Sequence, residues 1–134
     1  MAFRATSTVI EIVTADLGKA LAFYRALGLE VPVGAEGAPH VELALPGGNR
    51  LAFDTESTLA SVTPGYTPPA GEGRVALAFG VDTSAEVDAA HAALTGGGAP
   101  SVHTPFDAPW GQRYATVSDP DGTHVDLFAP LPAS

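Results

Sequence analysis

The second half of this chain repeats the first. Pro46-Gly47-Gly48-Asn49-Arg50-Leu51-Ala52-Phe53 returns as Pro120-Asp121-Gly122-Thr123-His124-Val125-Asp126-Leu127, an offset of 74 (120 − 46). Upstream, a strand-like run into a capped helix also occurs twice, from Val9 and again from Ala76, with Asp16 and Thr83 at the two caps, an offset of 67 (83 − 16). The later copy therefore carries seven extra residues (74 − 67), placed mainly before its last hairpin. Two copies of one supersecondary unit predict a pseudo-twofold structure with a shared cleft, and function is then expected where the copies differ.

Local signals give the content of each copy. Val9 to Val13 is a β-branched strand. Asp16 stands at a helix N-cap, Leu17, Ala20, Leu21, Tyr24 and Leu27 recur at helical spacing, and Gly28 sits at C′. A short strand is expected around Leu29 to Val33. A hairpin follows through Val41, Leu43 and Leu45, the turn Pro46-Gly47-Gly48-Asn49, and Leu51 and Phe53.

In the second copy, Val75 to Val81 is a strand. Thr83 and Glu86 form a capping box, Val87, Ala90, His91 and Leu94 continue the helix, and Gly96-Gly97-Gly98 ends it. A strand near Ser101 to His103, an irregular segment from Thr104 to Gln112, and a hairpin over Arg113–Ser118 and Thr123–Phe128 complete it. The expected fold class is α+β with two βαβββ modules, residues 5–54 and 74–130, within one domain of residues 1–134. Residues 55–73, rich in Pro, Gly, Ser and Thr and without periodicity, are expected to form a linker loop, in which Tyr66 caps a pocket or faces solvent.

Composition limits the partners. Only six basic residues oppose fifteen acidic ones, for a net charge of −9. No basic stripe is present to neutralise phosphates, so neither nucleic acid nor an anionic membrane surface is an expected partner. No apolar run approaches the ~20 residues of a membrane span, and the N-terminus lacks the pattern of a signal peptide. With no cysteine, thiolate nucleophiles, cysteine-ligated metals and disulfides are all excluded. A cytoplasmic protein is the expectation.

Strand alternation sorts the residues onto two faces. One is uniformly apolar, with Ile10, Ile12, Val41, Leu43, Leu51, Phe53, Leu77, Phe79, Val117, Val125 and Leu127 among its members, and should pack on the helices. The other mixes Glu11, His40, Glu42, Arg50, Asp54, Tyr114, Thr116, His124 and Asp126 with small and apolar residues. It is too polar for a core and too apolar for ordinary surface, as a partly dry, acidic binding face would be.

The motifs Asp16-Leu17, Leu21-Ala22-Phe23-Tyr24-Arg25, Leu27-Gly28-Leu29, Ala78-Phe79-Gly80-Val81-Asp82, Pro109-Trp110-Gly111-Gln112-Arg113 and Asp119-Pro120-Asp121-Gly122 fall in this order along nearly the whole chain. With the duplicated pattern they resemble the vicinal oxygen chelate superfamily of glyoxalases, extradiol dioxygenases, and fosfomycin- and bleomycin-resistance proteins. The Pro-Trp-Gly-Gln-Arg segment most resembles the bleomycin-resistance and glyoxalase-like branch. The resemblance implies sheets curved into half-barrels around a shared cleft, and a homodimer. It also implies metal ligands, His, Gln or Glu, on the first and last strands of each module. Those positions here are Val9, Ala52, Ala76 and Asp126, three of which have no donor.

The reading that follows is a metal-independent small-molecule binding protein sequestering an aromatic or cationic compound, as resistance proteins do. The candidate ligand-binding residues are Glu11, His40, Glu42, Arg50, Asp54, Trp110, Arg113, Tyr114, His124 and Asp126, with no catalytic and no metal residues. Trp110 is either a packing residue or a stacking platform, Arg113 a ligand contact or a salt-bridge residue, and His124 a cleft wall or a hydrogen-bond partner. No cofactor is expected; zinc, iron, manganese or nickel would belong to the alternative. That alternative is a lyase, isomerase or dioxygenase with a non-standard metal site, or acid–base chemistry by His124, Asp126 or Glu11.

Overall fold

The repeat is built as two mixed sheets in two compact units divided at Pro69. The computed structural model describes residues 4–69 and 73–132; residues 70–72 of the expected linker lie outside them. The first unit holds β1 (Val9–Thr14), α1 (Leu17–Ala26), β2 (His40–Ala44), β3 (Arg50–Thr55) and α2 (Glu56–Val62). The second holds β4 (Leu77–Gly80), α3 (Ser84–Gly96), β5 (Ser101–Ala108), β6 (Gln112–Ser118) and β7 (His124–Pro130). The expected α+β class is what the chain adopts.

Corresponding strands pair in the same way. β1 runs parallel to β3 and β2 antiparallel to it, giving the order β1-β3-β2. β4 runs parallel to β7, with β6 and then β5 added antiparallel, giving β4-β7-β6-β5. The duplication extends to single hydrogen bonds. In the first hairpin Leu45 N–H donates to Asn49 O (2.8 Å) and Gly48 N–H to Leu45 O (3.3 Å). In the second, 74 positions later, Asp119 N–H donates to Thr123 O (2.8 Å) and Gly122 N–H to Asp119 O (3.0 Å).

Helix ends repeat too. Asp16 Oδ1 accepts from Lys19 N–H at 3.1 Å, and Thr83 Oγ1 from Glu86 N–H at 3.2 Å. Each such cap is worth about 1 kcal/mol. Both helices close with paired Schellman bonds: Leu29 N–H to Tyr24 O and Gly28 N–H to Arg25 O, then Ala99 N–H to Leu94 O and Gly98 N–H to Thr95 O. Gly28 and Gly98 take the positive φ this closure needs, 106° and 105°.

The apolar faces pack on the helices, except that Ile10 and Phe79 stay only half-buried. Ile12, Val41, Leu43, Leu51 and Phe53 are buried with Leu17, Leu21 and Tyr24 of α1, the Tyr24 and Phe53 rings 5.2 Å apart. Leu77, Ala115, Val117, Val125 and Leu127 are buried with Val87 and Leu94 of α3, which lies on β5, β6 and β7. Among the described residues no helix is long and apolar enough to cross a membrane.

Three expectations need correction. No strand forms over Leu29–Val33, so the first unit is βαββ with a three-stranded sheet. Pro32 has no N–H to give a ladder, Gly34 turns the chain at φ 80°, and Val33 is fully exposed. The expected linker loop contains α2: Thr55 Oγ1 caps it by accepting from Thr58 N–H at 3.1 Å, and Thr58 Oγ1 donates to Pro39 O at 3.0 Å. Finally, β5 runs on to Ala108 through Pro105. As an edge strand it tolerates a missing donor, and register shifts on the His103 side of Phe106 absorb its extra residues.

Candidate functional site

In the second unit, α3 covers one face of the sheet and the other carries the polar and aromatic candidates. Arg113 shows which face is which: its guanidinium donates twice to Asp88 of α3 (Nε 2.9 Å, Nη2 3.2 Å) and once to Asp107 (3.0 Å). These two carboxylates, Asp88 first, raise its already high pKa. Arg113 therefore fastens α3 to the sheet and does not join Tyr114, its neighbour on the opposite face.

On that opposite face Asp126 sits centrally on β7, between Thr116 on β6 and Ala78 on β4. Tyr114 Oη donates to Asp126 Oδ2 at 2.5 Å, and Thr116 Oγ1 donates to Asp126 Oδ1 at 2.8 Å. Burial first, and then the bond to Asp126, push the Tyr114 hydroxyl up to about 12, so it remains a proton donor at neutral pH.

Beside this triad the Tyr114 ring meets Trp110 edge to face with centroids 5.4 Å apart. Phe106 meets both, at 6.1 Å from Trp110 and 6.4 Å from Tyr114. His103 lies against Phe106 at 4.2 Å. The three separations among Phe106, Trp110 and Tyr114 suit quadrupole-favoured edge-to-face packing. Trp110 is 59% exposed, and its Nε1–H donates to Gln112 Oε1 at 2.9 Å, which fixes the indole without burying it. Across from Tyr114, Phe128 lies over Gly80: a Cβ there would stand 3.0 Å from Phe128 Cζ. His124 is on the same face, opposite Ser118.

The first unit gathers a different set. His40 Nδ1 is 2.6 Å from Asp54 Oδ1 and its Nε2 is 2.9 Å from Glu42 Oε2, while Arg50 Nε is 3.2 Å from Glu42 Oε1. An imidazole with a carboxylate on each nitrogen is favoured as the doubly protonated cation. The Glu42 bond first, then Asp54, raises the His40 pKa, and the same His40 contact lowers that of Glu42. All four side chains lie on one face of β2 and β3, and Glu11 stands on β1 across from Ala52.

The candidates thus separate into His40, Glu42, Arg50 and Asp54 in one unit and Trp110, Tyr114 and Asp126 in the other. The sequence reading missed Phe106, Gln112 and Thr116 as site residues. Thr116 was legible from alternation, being two positions from Tyr114 and paired with Asp126. Phe106 was hidden by the irregular β5.

The profile of the Glyoxalase/Bleomycin resistance protein/Dioxygenase superfamily matches residues 7–127. The chain belongs to this superfamily. No curated protein sequence matches it. Solved structures share the fold. A glyoxalase/bleomycin resistance protein/dioxygenase family enzyme from Burkholderia phytofirmans PsJN is 20% identical with a TM-score of 0.79, over 92% of this chain and 98% of that one. A superfamily member from Sphaerobacter thermophilus is 27% identical with a TM-score of 0.66, over 94% and 98%. Lactoylglutathione lyase from Agrobacterium tumefaciens is 23% identical with a TM-score of 0.67, over 94% of each chain.

Membership raises the question of a metal. At the positions matched to the superfamily's ligands, Val9, Ala52 and Ala76 offer no donor atom, and Ala52 is fully buried on β3. Asp126, the one donor, already accepts two hydroxyl protons. Among the described residues no group of three or more His, Asp or Glu side chains is arranged to hold a metal ion. The residues present do not fit the superfamily's metal centre.

Proposed function

We propose that this protein binds a small aromatic or cationic molecule on the second unit's sheet face, without a metal and without a chemical step, in the manner of a sequestering resistance protein. The observation that carries the reading is the half-exposed Trp110 held edge to face against Tyr114 and fixed by Gln112, beside the Asp126 carboxylate. An exposed indole that spends its N–H on a neighbour offers ring surface for stacking, and a nearby negative charge favours a cation there. The poor fit of Val9, Ala52, Ala76 and Asp126 to a metal supports the metal-free part.

The test is a panel of flat aromatic compounds, charged and neutral, scored by thermal shift and by quenching of Trp110, the single tryptophan. The reading predicts saturable quenching and a raised Tm with at least one compound, both unchanged by EDTA. A panel giving neither signal contradicts it. Binding or turnover that EDTA abolishes and zinc, iron, manganese or nickel restores would favour the lyase or dioxygenase chemistry of the superfamily instead.

A further inference from the structure

Counting protons around Asp126 narrows the ligand. Tyr114 and Thr116 each have one hydroxyl hydrogen, and both are spent on Asp126, one on each oxygen. What remains at Tyr114 Oη, Thr116 Oγ1 and the two Asp126 oxygens is lone pairs only. Thr116 is 8% exposed, so the surface presented to a ligand is mainly Tyr114 Oη and the Asp126 carboxylate. Donors on the face lie to either side: the Gln112 amide at the Trp110 end, and His124 and the Ser118 hydroxyl at the other. Trp110 supplies none, because its N–H goes to Gln112.

Resting on the proposed aromatic site, we infer that the ligand carries N–H donors on a flat ring, as an amidinium, guanidinium or primary ammonium substituent does, and that Asp126 sets this requirement. Charge alone does not satisfy the site. A cation without N–H gains the ring and the field of the carboxylate but leaves the lone pairs of Asp126 and Tyr114 stripped of water and unmatched. An anion adds acceptor to acceptor. An amidinium has four N–H groups in a planar fork and matches two carboxylate lone pairs while its ring lies against Trp110 and Tyr114.

Three probes of similar size separate the possibilities by isothermal titration calorimetry: 2-naphthamidine, N-methylquinolinium and 2-naphthoate. The expected order is naphthamidine at least tenfold tighter than N-methylquinolinium, and naphthoate at least a hundredfold weaker than naphthamidine. In Asp126→Asn, with folding checked by Tm, naphthamidine should lose at least tenfold and its advantage over N-methylquinolinium should shrink to under threefold. Tyr114→Phe, which keeps the ring and frees a lone pair on Asp126, should preserve the preference for naphthamidine. If N-methylquinolinium or naphthoate binds wild-type protein as well as naphthamidine, the donor requirement is wrong while the aromatic site stands. If none of the three binds, the proposed site falls and this inference with it.

Discussion

The two sheet faces are the same grid filled in opposite ways. At positions 74 apart, His40 faces Asp54 where Tyr114 faces Phe128, Glu42 faces Ala52 where Thr116 faces Asp126, and Ala44 faces Arg50 where Ser118 faces His124. The neighbouring strand adds Glu11 beside Ala52 and Ala78 beside Asp126. The first unit keeps its centre neutral and puts charge around it, where His40, Glu42, Asp54 and Arg50 neutralise one another in water. The second puts one carboxylate at the centre and surrounds it with hydroxyls and rings. A charge at the rim is screened and costs little; a charge at the centre must be hydrogen-bonded, and then its field is available to a ligand.

The most damaging way to break the comparison is to move the central charge. Ala52→Asp places a carboxylate at a fully buried position flanked by Glu11 and Glu42, with no hydroxyl to donate to it. Denaturant titration should show a loss of roughly 3 kcal/mol or more. A near-neutral result would mean that the two faces tolerate charge alike.

Next in size is Gly80→Ala. Its matched position in the first unit, Val13, carries a side chain because Asp54, not Phe128, stands across from it. In the second unit the new Cβ would meet the Phe128 ring at 3.0 Å and displace it. The expected cost is about 1–2 kcal/mol by thermal or denaturant melting, and Phe128→Leu in the same background should recover part of it.

The smallest effect concerns pH. His40 has its pKa raised by Glu42 and then Asp54, so it binds its proton more tightly folded than unfolded. Its contribution is fully present below the unfolded value near 6.5 and is lost as pH rises through the folded pKa. Because the group is well exposed, this amounts to about 1 kcal/mol at most. His40→Gln should flatten the stability profile above pH 6.5 and leave ligand binding by the second unit unchanged. A profile identical to wild type would show the charge chain to be energetically idle.

Much of this was legible in the sequence, because caps, turns and alternation are local. Asp16, Thr83, Gly28, Gly98 and the two Gly-containing hairpin turns specify their own hydrogen bonds, and burial along β2 and β7 followed the predicted period of two. What was not legible depended on neighbours in space. Pro105 reads as a strand breaker until β5 is known to be an edge. Leu29–Val33 reads as a strand until Pro32 and Gly34 are seen to turn it away. The helix α2 has no apolar stripe, only the cap Thr55 and the stop Pro64-Gly65, and its support comes from packing on β1 and β3. At the site, alternation placed Tyr114 and Asp126 together, whereas Arg113 was grouped with them through the Pro-Trp-Gly-Gln-Arg segment although alternation puts it on the other face. The bidentate contact to Asp88 resolves which face Arg113 serves.

The central claim, that ligand recognition resides on the second unit's aromatic and Asp126 face, is tested most directly by backbone amide chemical-shift mapping during titration with 2-naphthamidine. The account predicts saturable shifts centred on Phe106, Trp110, Tyr114, Thr116 and Asp126, with the His40 and Asp54 amides moving little. Shifts centred on His40, Glu42 and Asp54 that leave the Trp110 and Asp126 signals in place would contradict it.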